Sequence, residues 1–113
     1  PATGLVTSAL DAGRLARAIL RGGELDGVRL LRAATVTALL RPTLGIEPVE
    51  LVGRDGAFVG HEGEDRGVSA AFVLDPARGS GAVVLANGDA FASGDRERAR
   101  AVSDLARALL DLR

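Results

Sequence analysis

Apolar positions recur at helical spacing at the start of the chain, at strand spacing in the middle, and at helical spacing again at the end. "TSALDAGRLARAILRGG" predicts a helix with both ends marked. Thr7 or Ser8 caps the first turn, and Asp11 sits near the positive end of the dipole. Ala12, Leu15, Ala16 and Ile19 fall at i, i+3, i+4 and i+7 and form one stripe. Gly22 and Gly23 supply the left-handed residue that stops it. "ELDGVRLL" reads as a turn with a short extended piece, and "AATVTALLRP" as a second, shorter helix ended by Pro42. From residue 44 the period shortens. "LGIEPVELV" reads as a strand that Pro48, lacking an amide hydrogen, confines to an edge or bulge. Asp55-Gly56 between Val52 and Ala57 marks a hairpin. "AFVGH", "GVSAAFVL" and "GAVVLAN" read as further strands. "EGEDRG" reads as a loop whose acidic cluster, Glu62, Glu64 and Asp65, is solvated. "DPARGS" is a turn.

The last two strands are apolar on both faces, so both faces require cover. "DRERARAVSDLARALLDL" supplies one cover as a helix with Ala99, Val102, Leu105, Ala106 and Leu109 inward and Asp95 in its first turn. The helices before residue 42, a partner, or polypeptide outside the chain supply the other. The expected fold is α+β: an antiparallel sheet of three to four strands, a C-terminal helix packed on it, and two N-terminal helices. Residues 1–43 form the helical segment, and 44–113 the sheet and last helix.

Composition narrows the chemistry. The 113 residues suit one domain, and 47% apolar content supports a packed core built from Leu, Val and Ala, since aromatics make up 3%. A net charge of −1 gives no basic face for nucleic acid. No apolar run reaches the ~20 residues that span a bilayer. There is no Cys, so disulfides and thiolate chemistry are excluded. All fourteen basic residues are Arg. With no Lys, Tyr, Trp or Gln either, any mechanism that needs a lysine or tyrosine side chain must take it from elsewhere.

The candidate chemistry gathers in "VGHEGEDRGVSAAFVLDPARGSGAVVLANGD", which holds the one histidine, His61, and the one asparagine, Asn87. A lone histidine at a strand end has a structural reading, as a hydrogen-bonded residue, and a functional one. It makes no zinc site by itself, since zinc takes three or four ligands. No cofactor or metal is expected. None of Ser8, Ser69, Ser80, Ser93 and Ser103 lies in a G-x-S-x-G elbow. Ser69 falls inside a strand, and Ser8 is a cap. Gly60 and Gly63 flank the histidine and mark a bulge, or a place where a ligand approaches the backbone closely. Asn87-Gly88-Asp89 is turn chemistry at a strand end.

In order along the chain, these pieces resemble the serine β-lactamase and penicillin-binding-protein-like hydrolases, in the branch with class C β-lactamases, carboxylesterases and D-amino-acid-specific peptidases. "GLVTSALDAGRLARAILRGGELDGVRLLRAATVTALLRP" is similar to one segment of that family. "GHEGEDRGVSAAFVLDPARGSGAVVLANGD" is similar to the segment that follows. The likeness covers nearly the whole chain. It implies a C-terminal segment of a β-lactamase-like fold. The family's nucleophile motif, Ser-x-x-Lys, and its Tyr-x-Asn-like motif precede this region. The third motif, Lys or His, then Ser or Thr, then Gly, maps onto His61-Glu62-Gly63. The resemblance makes His61 the catalytic-site residue that shapes the electrostatics around nucleophile and substrate. It makes Glu62, Gly63 and Asn87 substrate-binding positions, Asn87 where relatives hold a substrate carboxylate.

Glu62 departs from the family's hydroxyl and sets an anion there, which disfavours carboxylate-bearing β-lactams more than esters or peptides. The expected activity is hydrolysis of an ester, amide or D-amino-acid peptide through an acyl-enzyme, with this chain supplying the third-motif strand and not the nucleophile. The expected partner is the N-terminal part of the same hydrolase or a self-association partner. A rival reading is a non-catalytic binding or assembly module on the same fold, and a third is a small self-sufficient hydrolase built on His61.

Overall fold

In the computed structural model, which describes residues 5–41, 46–51, 56–65, 67–88 and 96–112, the first helix, α1 (Ala9–Leu20), starts at Ser8. The Ser8 hydroxyl accepts the Asp11 amide hydrogen at 3.1 Å and donates to the Asp11 carboxylate at 2.9 Å, satisfying one of the amides that a helix start leaves unpaired. At the other end the Gly22 and Gly23 amides donate to Ile19 O and Ala18 O at 3.0 and 2.8 Å. Both glycines have positive φ, so the pair forms a Schellman stop. Gly23 has a second constraint: a Cβ there would lie 2.3 Å from the Leu31 carbonyl oxygen.

The chain then turns through a short hairpin, β1 (Glu24–Leu25) and β2 (Val28–Arg29). Its turn residues, Asp26 and Gly27, have φ of 50° and 82°, the left-handed pair that a two-residue hairpin demands. Arg17 pairs with Asp26 and so ties the hairpin to α1. The second helix, α2 (Ala33–Leu39), follows.

Four strands form the main sheet in the order β3 (Glu47–Val49), β4 (Phe58–Asp65), β5 (Val68–Asp75) and β6 (Ser80–Asn87), all antiparallel. Pro48 does lie on an edge strand. The segment "EGEDRG" is not a loop, however: β4 runs on to Asp65, which pairs with Val68 across a two-residue turn. Gly67, with φ of 77°, makes that short turn possible and leaves no loop for the acidic cluster. Gly60 and Gly63 keep the ladder's regular register, with no bulge. The last helix, α3 (Arg96–Asp111), closes the fold.

Alternation along the strands divides the apolar residues between two cores. Phe58, Ala71, Val73, Ala82 and Val84 face α3, where Val102, Ala106 and Leu110 cover them. Leu74, with Val59 and Phe72 beside it, faces α1 and α2, which contribute Ala16, Ile19 and Val36. The fold is thus α+β, with α3 on one face of the sheet and the two earlier helices on the other. Two helix stripes differ from the expected ones. On α3 the buried row is Val102, Ala106 and Leu110, while Leu105 is half exposed. On α1 Leu15 is 47% exposed, and Ala18 is buried in its place. Pro42, Val52, Asp55, Asp89, Ser93, Asp95 and the Ala99 side chain lie outside the described residues.

Candidate functional site at the end of the β3–β4 ladder

The β3–β4 ladder ends at the Glu47–Gly60 pair. From His61 to Asp65, β4 has no partner strand on that side among the described residues, although β5 pairs with it throughout. A cleft of about 370 Å³ opens at this step, lined by Glu47, Pro48, Val49, Glu50, His61 and Glu62. The size falls within the range of small-molecule sites. Glu47, Glu50, Glu62 and His61 are the ionisable residues among those lining it, and no Arg is among them.

His61 is exposed, and among the described residues its ring has no hydrogen-bond or ion-pair partner. Alternation places Gly63 on the same face two residues on. His61 lies opposite Phe72 and Gly63 opposite Ala70. That half of the face is thinly covered: Val68 and Leu85 are 48% and 45% exposed. A Cβ built on Gly63 would meet only the Ala70 methyl, at 3.6 Å.

Glu62 has the other parity. It pairs with Ala71 and shares the face that α3 covers further along. Asn87 lies opposite Val68, on the His61 face but at the far corner. Four residues along β6 and two strands across put it roughly 16 Å from His61. His61 and Gly63 are thus brought together, Glu62 lines the same cleft with its side chain on the opposite face of the sheet, and Asn87 is exposed and distant. Glu47 and Glu50 line the cleft and were not among the expected site residues. Their signal was Pro48: an edge strand marked by proline has to pair with the next strand, which carries His61.

Pro48 also fixes which backbone groups face the cleft edge. It cannot donate to β4, so its pair with Val59 occupies the non-bonded place in the ladder. Alternation then points the N–H and C=O of Gly60, Glu62 and Glu64 toward the β3 side. Beyond Gly60, the peptide groups of Glu62 and Glu64 reach the edge where no described strand bonds them.

The serines do not assemble around the histidine. Ser69 is fully buried and donates to Gly88 O at 2.7 Å. The Ser80 hydroxyl is buried beneath β6's other face. Ser8 is engaged at the α1 cap. Among the described residues no group of three or more His, Cys, Asp or Glu side chains is placed to hold a metal ion, and no helix is long and apolar enough to cross a membrane. A larger groove of about 520 Å³ lies across the molecule between α1, β6 and α3, with Arg17 and Arg21 its only ionisable residues.

No protein-family model matches the chain, and no curated protein or solved structure matches it.

Proposed function

We propose that this chain is the C-terminal part of a β-lactamase-like serine hydrolase acting on an ester, an amide or a D-amino-acid peptide through an acyl-enzyme. In this reading β4 is the strand that lines the acyl-transfer site. The observation that carries it is His61: exposed, without a described partner, on the same face as Gly63, and at the point where β3 stops and a cleft begins. The lack of Lys and Tyr assigns the nucleophile's activating amine and the second proton-transfer group to polypeptide outside these residues.

Within that frame the chain's own groups have definable tasks. The peptide edge of Glu62 and Glu64, which no described strand bonds, offers amide donors to a substrate backbone or a developing oxyanion, held by the β4–β5 ladder. His61 supplies a hydrogen-bond donor beside them. Gly63 leaves the face open for close approach. Glu47, Glu50 and Glu62 give the cleft a negative rim that repels anionic substrates, which favours neutral esters and amides over carboxylate-bearing β-lactams. Asn87, roughly 16 Å away, contacts only the far end of an extended substrate.

The test is the reading frame upstream. It is expected to encode Ser-x-x-Lys and a tyrosine motif. The longer polypeptide is expected to hydrolyse a chromogenic ester, with kcat/KM falling about 10²-fold on His61→Ala. The 113-residue chain alone is expected to be inert. Robust turnover by the chain alone, or an upstream frame without Ser-x-x-Lys, overturns the reading. The outer side of β6, with which no described strand pairs, favours a second reading, that of an assembly module on the same fold.

A further inference from the structure

We propose that Asn87-Gly88, at the end of β6, is a site of intramolecular deamidation, and that two hydrogen bonds on Gly88 hold the reaction back while the sheet is closed. Every group involved lies within this chain, so the inference does not depend on the hydrolase reading.

The reactants are neighbours in sequence. The Gly88 nitrogen attacks the side-chain carbonyl carbon of Asn87. A C–N bond forms, the attacking nitrogen gives up its proton, and the side-chain nitrogen leaves as ammonia. Water then opens the succinimide ring at either carbonyl, leaving an aspartate or an isoaspartate. Glycine hinders this attack least, because it has no Cβ beside the nitrogen. Asn87 is exposed, and no described residue bonds its side-chain amide.

The fold restrains the attacking nitrogen. Asn87 is the last residue of β6 and pairs with Val68 of β5. Just beyond it, the Gly88 N–H donates to Gly67 O at 2.7 Å. The Gly88 carbonyl accepts the Ser69 hydroxyl hydrogen, also at 2.7 Å. Ser69 is fully buried, so that donor is fixed by the core around it. Gly88 is thus held by its N–H and its C=O, from the residues on either side of Val68. Its φ of 104° is one that glycine adopts readily and other residues do not. Ring closure has to swing the Gly88 nitrogen out of the strand path and toward the Asn87 side chain. That motion breaks the bond to Gly67 and draws the carbonyl away from Ser69. The reactive arrangement is therefore reached by opening this corner of the sheet, and the rate follows the open fraction.

The product alters the same corner. A carboxylate replaces a neutral amide on the His61 face. The isoaspartyl form also adds a carbon to the main chain, which carries Gly88 out of line with Gly67, so the corner does not close again as before.

The test is mass spectrometry of the 113-residue chain incubated at mildly alkaline pH, in buffer and in concentrated urea. The chain has one Asn and no Gln, so a gain of one mass unit reports this residue alone. Isoaspartate in the peptide that carries it identifies the cyclic route. The folded chain is expected to react at least about tenfold more slowly than the chain in urea. Ser69→Ala, shown to be folded by slow amide exchange in β5, is expected to react about threefold faster than the wild type or more. In urea below the unfolding transition, exchange at the wild-type Gly88 amide and deamidation at Asn87 are expected to rise by the same factor, because one opening releases both. That measurement needs no variant. Equal rates in buffer and in concentrated urea overturn the proposal. So do a folded Ser69→Ala chain that reacts at the wild-type rate, exchange and deamidation that rise by different factors, and a product that contains aspartate without isoaspartate.

Discussion

A Cβ added at Gly60 would stand 1.9 Å from the Phe72 carbonyl oxygen and 3.1 Å from Val73 Cα. Both are backbone atoms of the neighbouring strand, so no rotamer change relieves the overlap and β4 must move away from β5. Gly60→Ala is therefore expected to cost about 2–3 kcal/mol. Three residues on, the same change meets only a methyl at van der Waals distance. Gly63→Ala is expected to leave stability unchanged or raise it by about 0.5 kcal/mol, since glycine gives up more freedom on folding. Urea denaturation of the two variants separates them, and equal losses would mean that the close approach at Gly60 is not real. In the longer hydrolase proposed above, Gly63→Ala is the variant to assay: a stable protein with reduced turnover is the expected result. The sequence offered both glycines as equivalent flanks of His61. It could not rank them, because the distinction lies in how closely β5 passes behind each one. It did single out His61, Gly63 and Asn87, which the sheet places on one face. The opposite orientation of Glu62 follows from strand parity alone, and only the reading of "EGEDRG" as a loop hid it.

Helices and strands were legible to different depths. The caps of α1 rest on local chemistry, and Ser8, Gly22 and Gly23 act as their residue types imply. The hairpin at Asp26-Gly27 has the same local origin. The facing of α3 does not. Its sequence carries leucines at 105, 109, 110 and 112, and two overlapping stripes fit the helical period equally well. Packing against β5 and β6 selects the row Val102, Ala106 and Leu110 and leaves Leu105 at the rim. This gives a direct measurement. Leu110→Ala removes a side chain that is 5% exposed and is expected to cost about 2–4 kcal/mol. Leu105→Ala, measured in dilute protein, is expected to cost under about 1 kcal/mol, because half of that side chain already meets solvent. The reverse order of the two losses would rotate α3 on the sheet and return the stripe that periodicity first suggested.

At the scale of the whole molecule, one four-stranded sheet serves two cores that have no side chain in common. Val73 and Leu74 are adjacent in β5, both fully buried, and point to opposite faces. The helices on either face do not need each other's contacts, but both need the strands. Sequence reading reached the demand for cover on both faces, from the unbroken apolar runs of β5 and β6, without assigning the second cover. That assignment depends on where the turn after α1 sends the chain, which is a tertiary fact. The shared sheet has a consequence for unfolding. A helix that packs on strands of its own opens alone, whereas helices that share their strands, as α1 and α3 share β6 and, to a lesser extent, β5, open with them. Leu74→Ala empties the α1 side and is expected to destabilise by about 2–4 kcal/mol. If β5 couples the faces, slow amide exchange in α3 falls by as much as that in α1, although α3 touches none of the deleted atoms. Val73→Ala is expected to do the converse, weakening protection in α1 through a side chain that faces α3. Losses confined to the mutated side in both variants would show two stacked units that open independently. The β4 edge beside His61 would then be held by only one of them.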